Sequence, residues 1–220
     1  MRFVDRAAGA AGIPVALYLM FLPGCVCDLW IPKKGPDIEP GDASDVVAQY
    51  FVANSESGRV GAYLGLIAVF LMVAFFSRLH GALRDATPRA SWLPIAVLSG
   101  GVLMAVVAIV EVGLAFAASE LDNYGGETQV VRFFVLWGWN SANLLTPPFG
   151  LALVGTTLVA FSTRAFSDWY RWGSAALLVL LLLISAVLRA PGLAVAPGML
   201  WLVLTSFMLV THRSAVRPDP

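Results

Sequence analysis

Charge is what this sequence has least of. Only 13% of its 220 residues are Asp, Glu, Lys or Arg, about half of the roughly 25% with which a soluble domain covers its surface. Neither sign is in excess, since 14 basic residues face 14 acidic ones for a formal net charge of zero. That balance excludes a nucleic-acid binder working through a basic field, and it excludes a disordered acidic chain. Two cysteines exclude a disulfide scaffold. Cys25 and Cys27 are separated by one residue and would point to different faces of a helix, so they lack the CxxC spacing of redox and zinc sites. No phosphate-cradling glycine loop, HExxH pair or nucleophile elbow is present. The sequence therefore predicts no catalytic residue, no metal and no cofactor.

What is present is apolar sequence in long runs. Hydrophobic residues make up 59% of the chain. The charges leave six long gaps, at 7–27, 60–77, 90–110, 133–163, 172–188 and 190–211. A bilayer core of about 30 Å takes about 20 residues of helix. The runs show no period-two alternation, so helices rather than a barrel must satisfy the backbone in lipid. These gaps predict an all-α, polytopic membrane helix bundle forming a single membrane domain. Its six transmembrane helices fall at about 11–30, 60–78, 92–118, 147–163, 172–188 and 193–211.

The fourth gap is too long for one simple span. Within it, Thr146-Pro147-Pro148 reads as an N-cap followed by proline at the first helical position. The segment before it, 128–145, is expected as a separate interfacial or kinked helix. The hydrophilic stretch 31–59 is expected as an outer loop. Its prolines make the first part extended, and Ser44 opens a short amphipathic helix.

Orientation follows from the basic residues of short loops. With the N-terminus inside, the inner side holds Arg2, Arg6, Arg78, Arg84, Arg89, Arg164, Arg171, Arg213 and Arg217. The outer side holds Lys33, Lys34, Arg59, Arg132 and Arg189. Nine against five puts both termini inside and places the protein in the inner (cytoplasmic) membrane. The first run has a competing reading. Arg2 and Arg6 precede a short apolar core, and Leu22-Pro23-Gly24-Cys25 resembles a lipobox cleaved before the cysteine. Proline so close to the cysteine departs from that pattern, and a retained first span is expected.

One acid breaks the rule that charges mark membrane edges. Glu111 falls inside the third span, towards the outer side, where an unpaired carboxylate costs several kcal/mol. It must be neutral, paired or facing a wet cavity. Gln129, Arg132, Asn140 and Asn143 fall near one helical face of the following segment and are its expected partners. Asp28 and Arg59 could join from the first and second spans. The candidate polar cluster is thus Glu111, Arg132, Asn140, Asn143 and Asp28, either lining an outer vestibule or belonging to an interfacial helix. His80 and His212 lie at span ends beside arginine, where interfacial anchoring explains them better than haem or metal ligation. Gly58, Gly61 and Gly65 form a stripe that permits close helix packing.

The order of features from Val60 onward carries a likeness. It runs through Ser77-Arg78-Leu79-His80-Gly81-Ala82-Leu83-Arg84, Phe149-Gly150-Leu151, Arg164 and Trp169–Trp172. The last two spans are then split by Arg189-Ala190-Pro191-Gly192. This resembles a small bacterial, mostly actinobacterial, family of six-span membrane proteins of unknown function. The resemblance implies a fold and no activity. Two classes of function stay open. One is a non-catalytic accessory, sensor or assembly component whose partners are the lipid bilayer and a protein or lipid ligand. The other is a small-solute or proton-coupled transporter or channel using Glu111 and the Arg132/Asn140/Asn143 stripe. A membrane enzyme acting on lipids is a third, less favoured reading, and nucleic acid is not an expected partner.

Overall fold

The computed structural model describes residues 3–20, 44–87, 91–120, 128–163, 165–188 and 191–211. The Leu22–Cys25 motif, Asp28, His212 and the first part of the 31–59 loop lie outside the described residues. All regular structure among the described residues is helical, with no strand. In chain order the helices are α1 (Phe3–Ala10), α2 (Gly12–Met20), α3 (Ser44–Ala53), α4 (Ser55–Ala86), α5 (Leu93–Ser119), α6 (Thr128–Thr163), α7 (Asp168–Leu183) and α8 (Pro191–Thr211). A π-helical turn, Ile184–Leu188, finishes α7.

Proline sets several of the boundaries. Pro14 has no N–H to offer the carbonyl of Ala10, and the first helix is broken at Ala11 into α1 and α2. Pro88 ends α4 in the same way, and Thr87 closes the last turn by donating its hydroxyl to the Leu83 carbonyl at 2.8 Å. In α6 the helix runs unbroken through Pro147 and Pro148 for 36 residues. The segment expected before the fourth span is therefore the first half of the same helix. Pro147 and Pro148 bring no amide hydrogen to the ladder of that helix.

Four stretches are long and apolar enough to cross a membrane: Ser55–Ala86, Leu93–Ala117, Asn143–Thr163 and Asp168–Ala186. Val195–Thr211 in α8 is a shorter apolar stretch. At about 1.5 Å per residue, α4 and α6 measure roughly 48 and 54 Å, longer than the bilayer core. The inner face of α4 carries Ala62, Gly65, Val69, Met72, Phe76, Leu79 and Leu83, all buried at helical spacing. Its opposite face exposes Tyr63, Leu64, Ile67, Phe70 and Val73. A helix that is apolar all round belongs in a membrane or a large core.

The helices α2, α4, α5, α6, α7 and α8 alternate in direction along the chain, and small residues set their register. On α5, Gly101 faces the ring of Phe76 on α4, and Gly65 of α4 faces Val112. Gly100 approaches the Pro148 carbonyl and Ala152 on α6, while Gly155 of α6 faces Leu93 and Val97. Gly12 on α2 meets Phe75 on α4 and Ser206 on α8, whereas Tyr18, further along α2, meets Gly65. Phe161 of α6 packs edge-on against Trp172 of α7 at 5.3 Å. Trp169 of α7 packs on Phe207 of α8 at 5.8 Å. A core cluster of Phe75, Phe76, Trp201, Phe149, Met72 and Met104 fills the middle.

At one end of the α4–α5 pair, Arg59 Nη2 lies 2.7 Å from Glu120 Oε1, with the two side chains 49% and 36% exposed. Edge-to-face packing of Tyr63 and Phe116 at 5.1 Å follows one turn in. So wet an ion pair contributes only about 0.2–1 kcal/mol. Glu120→Gln is expected to lower the melting temperature in low-salt detergent by no more than about 2–4 °C. That small loss should vanish near 1 M salt. A large, salt-independent loss would show the pair to be a fastener rather than a surface contact.

Candidate functional site

Glu111 lies where α2, α4 and α5 meet. Its side chain is 7% exposed. The next residue, Val112, packs against Gly65 of α4 beside the hydroxyl of Tyr18 from α2. Tyr18 is within electrostatic reach of the Glu111 carboxyl. Gly65 is needed for that approach, because a methyl group there would overlap both Tyr18 and Val112. The acid is thus buried beside the layer in which Tyr18, Gly65 and Val112 meet.

The expected partners fare differently. The register of α5 on α6 puts residue 111 level with about residues 139–140 of the α6 backbone, by extension of the Gly100–Ala152 and Gly155–Val97 contacts. Asn143 is half-buried about one turn away. Arg132 and Asn140 belong to α6, but their side chains lie outside the described residues, as does all of Asp28. Arg59 is engaged with Glu120, nine residues beyond Glu111 along α5 and so about 13 Å away along the axis.

His80 has a bonding role. Its Nδ1 is 2.9 Å from the Pro94 carbonyl, and a carbonyl only accepts, so Nδ1 carries the hydrogen. The ring ties the end of α4 to the start of α5. Among the described residues, no three His, Cys, Asp or Glu side chains gather as metal ligands would.

A second polar group lies in the half of the bundle that holds the α6–α7 turn. Tyr170 of α7 is fully buried and its hydroxyl is 3.1 Å from Thr205 Oγ1 of α8. Ser174 and Trp201 present their polar atoms to the same phenol. Thr156 and Thr157 on α6 are buried, as is Ser206 on α8. Thr156 returns its hydroxyl to the Ala152 carbonyl at 2.7 Å. None of these side chains carries a charge. Gly65 and Phe75 mark the levels of the two polar positions on α4, ten residues apart, or about 15 Å along the axis. Ala68, Val69 and Met72, all buried, lie between those levels.

Tyr18 and the hydroxyl group are absent from the expectations raised by the sequence. A signal for the second was available: Tyr170 and Ser174 are four apart, as are Trp201 and Thr205, so each pair shares a face of an otherwise apolar helix. No family model, curated protein or solved structure matches this chain.

Proposed function

We propose that the chain is a non-catalytic component of the cytoplasmic membrane, an accessory or sensor subunit that binds a protein partner or a lipid. In this reading it has six spans with both termini inside, and it belongs with the small bacterial six-span proteins of unknown function that its sequence resembles. Glu111 then acts as a neutral carboxyl that fastens helices. The observation that carries the reading is the burial of Glu111 with Tyr18 near it, and the buried Ala68, Val69 and Met72 between its level and the other polar group. A transport site would need water or solute to reach that carboxyl. The antiparallel succession of α2, α4, α5, α6, α7 and α8 is what six alternating spans require. The basic residues Arg6, Arg78, Arg84 and Arg171 at the inner ends fit the same topology.

The transporter reading has one observation of its own, the levelling of Glu111 with the Asn140 region of α6. Purified protein in vesicles carrying a trapped pH dye separates the two. Under an imposed pH gradient, wild-type and Glu111→Gln proteoliposomes are both expected to leak protons no faster than empty vesicles. Glu111→Gln, which keeps shape and hydrogen bonding, should melt within about 2–4 °C of wild type, the equivalent of roughly 1 kcal/mol. Proton flux well above empty vesicles, abolished by Glu111→Gln, would overturn the accessory reading in favour of transport.

A further inference from the structure

Thr157, Ser174 and Trp201 pose a question of hydrogen bonding that the Glu111 reading does not touch. Ser174 and Trp201 are fully buried and Thr157 is 8% exposed. Thr157 Oγ1, Ser174 Oγ and Trp201 Nε1 have no hydrogen-bond partner among the described residues. Buried polar groups left unpaired are rare, and each asks for a specific explanation.

Their placement supplies one. Ser174 lies one helical turn from Tyr170, on the α7 face that continues to Leu181, and Leu181 meets Gly150 of α6. Gly150, Thr157 and Phe161 share the α6 face turned to α7, where Phe161 meets Trp172. These two contacts level Thr157 with about residue 174 of α7. Trp201 and Thr205, four apart on α8, approach from the third side, and Thr205 reaches the Tyr170 hydroxyl directly. Ser174 and Trp201 point at that same hydroxyl without bonding geometry. Polar atoms that converge on one spot but stop short of each other are characteristic of groups bridged by water. A buried water needs two to four polar partners and typically makes about three hydrogen bonds. Trp201 can only donate, while the hydroxyls do either, so a water has both kinds of partner here. The absence of charge in the group argues for a neutral occupant of this size over an ion.

We propose that Thr157, Ser174, Trp201 and the Tyr170–Thr205 pair hold an ordered internal water that joins α6, α7 and α8. The sign of a mutational effect tests it. A hydroxyl that is merely orphaned destabilises the fold, and removing it should raise the melting temperature or leave it unchanged. A hydroxyl that holds a bridging water should lower it when removed. Ser174→Ala and Thr157→Val are each expected to lower the melting temperature in mild detergent by about 2–4 °C. The double variant should lose little more than the worse single one, because the water is lost only once.

The second readout is radiolytic hydroxyl-radical labelling in isotopically heavy water, followed by mass spectrometry of the peptides bearing Tyr170 and Trp201. Oxygen uptake at these buried rings is expected in the wild type and should fall severalfold in the double variant. Labelling decides wherever the two readouts disagree. Background uptake at both rings in wild type, or uptake that the double variant leaves unchanged, would overturn the proposal.

Discussion

Trp201→Ala should be the most damaging single truncation in this protein. Trp201 is the largest fully buried side chain among the described residues. It packs edge-on against Phe75 at 6.4 Å and tilted against Phe76 at 6.1 Å, joining α8 to α4 at the centre of the bundle. Truncating a buried tryptophan costs about 3–5 kcal/mol. In a bundle whose exterior is as apolar as its interior, the transfer part of that cost shrinks. The cavity and the lost dispersion contacts remain, which points to the lower end of the range. A loss of about 3 kcal/mol corresponds to a fall of roughly 6–12 °C in melting temperature for a chain of this size. Trp201→Phe, which keeps most of the ring volume, should lose less than half as much. A Trp201→Ala protein that melts within a few degrees of wild type would show that the three rings do not pack as described.

Gly101→Ala should rank next. A methyl group there would overlap the ring of Phe76 and come within 2.6 Å of its Cδ1 and Cδ2. The ring has nowhere to go: it is 1% exposed, with Phe75 and Trp201 beside it. Overpacking of this kind costs about 1–3 kcal/mol. Phe76→Leu in the Gly101→Ala background should recover a large part of that loss, since the two positions share one space. The built-in contrast is Gly81→Ala on α4 and Gly113→Ala on α5, where an added methyl meets nothing within 4 Å. Those two should be neutral or stabilising by up to about 1 kcal/mol through helix propensity alone. If Gly101→Ala melts like Gly113→Ala, the register between α4 and α5 is wrong. Thermal unfolding followed by intrinsic fluorescence reads all four variants on one scale.

Helix positions were readable from sequence because charge and proline act locally. The gap 90–110 and its apolar continuation past Glu111 place a span at about 92–118, and α5 runs Leu93–Ser119. The second span, expected at about 60–78, is the middle of a longer helix, since α4 runs Ser55–Ala86. The opening of α3 at Ser44 was also available, as a capping residue before an apolar run. What was not readable is partnership. Glu111 announces itself as an acid among valines, but the nearness of Tyr18 depends on α2 crossing α4 at Gly65. No spacing within one helix encodes that crossing. The hydroxyl group around Tyr170 fails for a different reason. Serine and threonine are common in apolar spans, where they return their hydroxyls to their own helix, as Thr156 does here. Only three-helix geometry shows that Thr157 and Ser174 do otherwise. For 128–145 the sequence left a separate and a kinked helix both open, because proline at a plausible helix start reads as a boundary although neighbouring helices can support prolines within a span.

The double proline in α6 has a mechanical meaning. A helix resists bending through its ladder of hydrogen bonds, and at Pro147 and Pro148 two adjacent amide donors are missing. The 36-residue rod therefore has a soft joint near its middle, with an arm of roughly 28 Å from Thr128 to Thr146. A rotation of only about 5° at that joint would swing the far tip by about 2.5 Å. Close to the pivot, level with Glu111, the same rotation moves the backbone by about 1 Å. Lever and joint together mean that a displacement gathered at the tip of α6 would reach the buried acid reduced to less than half its size.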